Sequence, residues 1–163
     1  MQEVPETELR ERLTAALGVR RWVDDMTARA PFRDVDELLR AGRHAATPLS
    51  DAELDEAVAH HPRIGERGAA GGVAGRLSAG EQDGLGAADE GLDAAIARGN
   101  RVYEERFGRV FLIRVAGLSR EEVADELQRR LTNSPDEEVE EAKEQLRQIM
   151  EVRLRTLFPE EPQ

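Results

Sequence analysis

The chain has 163 residues, one domain's worth, and its 23 basic and 34 acidic residues give a formal net charge of −11. That balance argues against nucleic acid or an anionic membrane surface as the main partner, since both need a basic face. With no cysteine there is no disulfide, thiolate nucleophile or cysteine-ligated metal site, and no apolar run is long enough to span a bilayer.

The pattern along the chain is helical. Leu9, Leu13, Ala16 and Leu17 form a first apolar stripe, and Trp22, Val23 and Met26 a second that stops near Pro31. The run from Asp34 to Glu37 resembles a capping box opening a short helix with Leu38 and Leu39. Ser50 to Glu53 is a clear one, before Leu54, Ala57 and Val58. Residues 60–76, rich in glycine and holding Pro62, read as a long loop. A helix restarts at Ser78 with Leu85, Ala88, Leu92, Ala95 and Ile96 on one face. It is expected to end at Gly99, with Asn100 capping a short helix that carries Val102 and Tyr103.

The run from Val110 to Val115 is apolar and β-branched. It reads as a strand without a partner, a buried helical turn, or an extended buried segment. Ser119 caps a helix bearing Val123, Leu127 and Leu131. Ser134, with Pro135 at the first helical position, caps the last helix, whose stripe runs from Val139 through Leu146 and Ile149 to Leu157. The expected fold is a single all-α domain, residues 1–163, of about seven to eight helices. The polar, acidic N-terminus does not read as a secretory or transit peptide. Of the basic residues, 22 are Arg and one is Lys143; with the Ala and Gly richness this points to a bacterial cytoplasmic protein.

Chemistry-bearing residues are few. His44, His60 and His61 are the only histidines, and adjacent His60 and His61 cannot both face one metal from a regular helix, which disfavours zinc. His61 precedes Pro62, so it sits at a helix terminus beside the Gly-rich stretch. It reads either as an exposed loop histidine or as an acid–base group. Glu81, in Ser78-x-x-Glu81, reads locally as a cap like the other three such boxes. Arg153 lies about 40° around the last helix from Ile149, on its apolar stripe, whereas Arg155 falls on the opposite side. A core-facing Arg needs a carboxylate or an anionic ligand, or must snorkel to water. Arg20, Arg21, Arg129 and Arg130 are expected on solvated faces, and the acidic 136–144 stretch as an exposed helix start.

His61-Pro62-Arg63-Ile64-Gly65, then Ser78-Ala79-Gly80-Glu81-Gln82, then the run from Asn100 to Gly108 with the apolar segment after it, together resemble one family. It is the 2-oxo-4-hydroxy-4-carboxy-5-ureidoimidazoline (OHCU) decarboxylases of urate degradation. Arg130-Leu131-Thr132-Asn133 and Arg153-Leu154 resemble that family's tail, and the likeness covers nearly the whole chain. It implies an all-α fold, no metal or organic cofactor, an anionic small-molecule substrate and a homodimer. It implies decarboxylation of OHCU to (S)-allantoin, with His61, Glu81 and Arg153 as essential residues and Arg155 as the runner-up for the arginine. Substrate contacts are implied for Pro62, for Ser78, Ala79, Gly80, Glu81 and Gln82, and for backbone along Ile113, Arg114, Val115, Ala116 and Gly117. Arg114 departs from the apolar character of its segment, and would either line the pocket or turn outward. The competing reading is a helical interaction or anion-binding module of the same fold, without turnover.

Overall fold

The computed structural model describes residues 3–59 and 90–160, which form seven helices and no strand. They are α1 (Glu6–Ala16), α2 (Arg20–Arg29), α3 (Val35–Ala45), α4 (Asp51–Val58), α5 (Glu90–Phe107), α6 (Arg120–Arg130) and α7 (Pro135–Leu157). The expected loop over 60–76 and the expected helix start at Ser78 lie outside the described residues.

Helix starts follow the local chemistry. Ser50, Ser119 and Ser134 each accept the N–H three residues on, and Glu53, Glu122 and Glu137 return to the cap N–H. The α3 start differs slightly. Asp34 accepts the Glu37 N–H, but the Glu37 carboxylate reaches one residue further back, to the Arg33 N–H at 2.6 Å.

Two apolar cores result. The larger joins α1, α2, α3, α4 and α7 around Leu13, Leu17, Trp22, Met26, Leu38, Leu54, Leu146 and Leu154. One close crossing is at Gly42. There the Trp22 Nε1–H donates to the Gly42 carbonyl at 2.9 Å, and a Cβ would lie 3.2 Å from both Leu154 Cδ1 and Met150 Sδ. The smaller core joins α5 and α6 around Ile96, Tyr103, Phe111, Ile113, Val115, Val123 and Leu127.

Two expectations about α5 are corrected. Gly99 does not end a helix, and Asn100 does not cap one; both are buried inside α5. Gly99 is where α6 approaches, since a Cβ there would stand 2.4 Å from Leu127 Cδ2. The helix ends instead at Gly108, whose φ of 73° is the left-handed conformation that suits glycine at a C-terminus.

The segment from Val110 to Val115 is the extended buried alternative. Phe111, Ile113 and Val115 face the small core, while Val110 and Leu112 face the large one. This period-2 alternation is that of a strand, met without a sheet because each face has its own core. The segment closes in a turn in which the Leu118 N–H donates to the Val115 carbonyl at 3.0 Å. Gly117, with φ 81°, holds the third position, as a type II turn requires.

Candidate active site

The long helix α7 carries the core-facing arginine. Arg153 is 4% exposed and Arg155 is exposed, so the helical spacing separates the two as expected. Arg153 Nη1 donates to the Ala15 carbonyl at 3.1 Å. That carbonyl belongs to the last turn of α1, which has no basic residue of its own there. In the reverse direction, Arg12 of α1 donates to the Leu157 carbonyl at the end of α7 at 2.9 Å. The two helix ends are thus cross-capped, and Arg153 is tied to α1 through its guanidinium.

The apolar segment is the second described part of the expected site. Arg114, alone among residues 111–115, is exposed. Its backbone N–H donates to Gln145 Oε1 of α7 at 2.8 Å. The Leu112 carbonyl accepts Arg130 Nη1 of α6 at 2.7 Å. Leu112 and Arg114 have the same parity, so both bonds hold one edge of the extended segment. Among the described residues, neither the Ile113 N–H nor the Val115 N–H, on the other edge, has a hydrogen-bond partner.

Arg130 and Glu138 overturn the expectation of solvated faces. Arg20, Arg21 and Arg129 are exposed, but Arg130 and Glu138 are both 0% exposed. Arg130 Nε donates to Glu138 Oε1 at 2.8 Å, its Nη2 donates to the same carboxylate, and its guanidinium lies 4.7 Å over the Phe111 ring. The Tyr103 hydroxyl donates to Glu138 Oε1 at 2.5 Å, and Asn133 Nδ2 to Glu138 Oε2 at 3.0 Å. Burial, with Glu138 alongside, pushes the Tyr103 hydroxyl far above its ordinary value, so it stays a donor. Lys143, in the same supposedly exposed stretch, is also buried and pairs with Asp51 of α4 at 2.9 Å. The missed signal was the stripe itself: Arg130 follows Val123 and Leu127 at i+7 and i+3, just as Arg153 follows Ile149 at i+4.

His61, Pro62, Ser78, Ala79, Gly80, Glu81 and Gln82 lie outside the described residues. Of the expected site, the structure therefore describes Arg153 and residues 113–117. Both are referred to α7, through Arg153 itself and through Gln145, about 12 Å earlier along the helix axis. Among the described residues, no three imidazole or carboxylate groups gather in a way that would hold a metal ion.

A family model for OHCU decarboxylases matches residues 2–155. The chain belongs to this family. A 2-oxo-4-hydroxy-4-carboxy-5-ureidoimidazoline decarboxylase of Haloferax volcanii is 29% identical over 135 residues, 80% of this chain and 77% of that one. Among solved structures, an OHCU decarboxylase crystallised in the presence of (S)-allantoin superposes with a TM-score of 0.78 at 22% identity. The match covers 92% of this chain and 99% of that one. An (S)-allantoin synthase gives a TM-score of 0.69 at 16% identity over 95% of this chain, which spans 51% of the synthase's length. These structural likenesses show the shared all-helical fold. As a member of the OHCU decarboxylase family the chain is a carboxy-lyase, and the rival of a binding module without turnover is not favoured.

Proposed function

We propose that this OHCU decarboxylase forms (S)-allantoin with His61 as its acid–base residue, Glu81 as the partner of that histidine, and Arg153 as the holder of the substrate anion. The bond that breaks joins the ring to the carboxylate. Its electron pair moves into the ring, where a nitrogen takes up a proton; the substrate hydroxyl then loses its proton to become a carbonyl while one face of the neighbouring ring carbon gains one, a net uptake of one proton per CO₂ lost. The net change is loss of CO₂ with no redox step, so the residues need only bind charge and move protons.

The observation that carries the reading is Arg153, buried on the inner face of α7 where the Arg-Leu motif and the helical stripe coincide. With one nitrogen on the Ala15 carbonyl, the buried Arg153 guanidinium still carries a charge that attracts a carboxylate with far less solvent competition than a surface one. The N–H groups of residues 113–117 are suited to the oxyanion that develops as CO₂ leaves. A Glu81 carboxylate beside His61 would raise the imidazole pKa and select its tautomer. The same reading makes the chain a single-domain bacterial cytoplasmic enzyme that works as a homodimer, with OHCU or a close ureidoimidazoline as its substrate.

The test is steady-state turnover on OHCU generated in place from urate by urate oxidase and hydroxyisourate hydrolase. His61→Ala and Glu81→Ala are each expected to lose at least about a hundredfold in kcat, the scale of a removed general acid–base group. Turnover near wild type in both variants would reject these assignments.

A further inference from the structure

The extended segment is held by side chains rather than by a sheet, and the bonds fall on one edge. Arg130 Nη1 takes the Leu112 carbonyl, and Gln145 Oε1 takes the Arg114 N–H. A strand's backbone groups alternate between its two edges, so tying residues 112 and 114 turns the Ile113 and Val115 N–H groups the other way. The two anchors come from different helices, α6 and α7, which the Arg130–Glu138 pair joins. Arg130 is itself immobilised on every side, by Glu138, by the Phe111 ring and, through Glu138, by Tyr103 and Asn133. A guanidinium committed in this way is poorly placed to bind substrate, and well placed to fix where Leu112 stands.

We propose that Arg130 and Gln145 are positioning residues for the decarboxylation. They clamp one edge of residues 112–114 so that the Ile113 and Val115 N–H groups are presented, already oriented, to the substrate. The proposal rests on the reading above that places substrate on residues 113–117, and it adds what holds those donors in place. Preorganised donors stabilise a developing oxyanion because they need no reorientation during the reaction. A donor edge displaced by an ångström therefore lowers kcat more than it raises KM.

Gln145 gives the cleanest test, since it is only partly buried and outside the ionic network. Gln145→Ala removes the acceptor of the Arg114 N–H, whereas Gln145→Glu keeps an oxygen there. Gln148→Ala, on the next turn of α7, is the control and is expected to keep the wild-type kcat. The expected result is a fall in kcat of about tenfold or more for Gln145→Ala, with KM within about threefold and Tm within about 2 °C of wild type. Gln145→Glu should recover most of the rate, which loss of helix stability alone would not explain. A Gln145→Ala kcat within about twofold of wild type would overturn the clamp while leaving the decarboxylase reading intact. Should the wild type itself not turn over OHCU, the function reading fails, and amide exchange then decides on the clamp. Faster exchange at Arg114 in Gln145→Ala than in wild type supports it, and unchanged exchange overturns it.

Discussion

The two cores of this molecule are held by different physics. The large core of α1, α2, α3, α4 and α7 is a contact of apolar side chains, mostly aliphatic with Phe32 and Phe158, and its buried indole donates to the Gly42 carbonyl. The small core of α5, α6 and residues 111–115 is built around an ion pair with neither partner exposed, two neutral donors and a carbonyl. Aliphatic packing tolerates exchange of side chains of similar volume. Directional bonds to a buried charge tolerate almost none, because each loss leaves a polar group unsatisfied. The chain thus places its least adjustable contacts where a backbone segment must stand at a fixed position, and leaves the bulk of the stability to burial.

The sharpest way to break the small core is to remove half of its ion pair. Arg130→Met is expected to cost about 3–5 kcal/mol by leaving Glu138 charged and buried, measured by urea unfolding. The double change Arg130→Met with Glu138→Leu should recover much of that loss. No recovery would mean that the remaining donors, Tyr103 and Asn133, matter as much as the charge. In the large core, Leu13→Ala is expected to cost about 2–5 kcal/mol through lost burial and a cavity. Leu13→Met at the same site should cost under about 1.5 kcal/mol, which no substitution of Arg130 should match.

A smaller effect is expected where α5 and α6 touch. Gly99→Ala gains about 1 kcal/mol of helix propensity but drives a methyl group into Leu127, and overpacking of this kind costs about 1–3 kcal/mol. The net expectation is a loss of about 1 kcal/mol in Tm-based stability, and the double change Gly99→Ala with Leu127→Ala should not add the two losses.

The smallest effect separates surface charge from buried charge. Arg43 of α3, bonded to Glu144 of α7, holds the Glu144 carboxyl down at about 2, against an ordinary 4.5. A lowered native pKa means stability that is present above about pH 4.5 and lost as pH falls toward 2. Because the pair is more than a third exposed, solvent screening keeps the contribution below about 1 kcal/mol. Urea midpoints at pH 6 and pH 3 should therefore differ slightly less in Glu144→Gln than in wild type. An unchanged difference would show that this bridge is not linked to folding.

Much of this architecture was legible from residue spacing. The boxes at Ser50, Ser119 and Ser134 mark helix starts that depend only on four consecutive residues, so local chemistry decides them. Arg153 was legible because one helix's periodicity sets which way a side chain faces. Gly99 is not legible locally, because a glycine that ends a helix and a glycine that admits a neighbour look alike; Leu127, distant in sequence, decides between them. Val110 to Val115 stayed ambiguous for a similar reason, since a strand pattern without a sheet requires two cores, one on each face. Arg130 was legible in principle from its place on the stripe of Val123 and Leu127. Its burial is not decided locally, because a basic residue in a helix's last turn is favoured by the dipole even when exposed. His61 and Glu81 rest on the motifs in which they stand.

The most direct measurement follows the circular dichroism of the product as OHCU is generated in place, with wild-type protein and with Arg153→Gln. A rapid signal of (S)-allantoin is expected from the wild type. A loss of about a hundredfold or more in that rate is expected for Arg153→Gln, whose helical spectrum should remain native. Slow formation of racemic allantoin at the same rate with and without the wild-type protein would contradict this expectation.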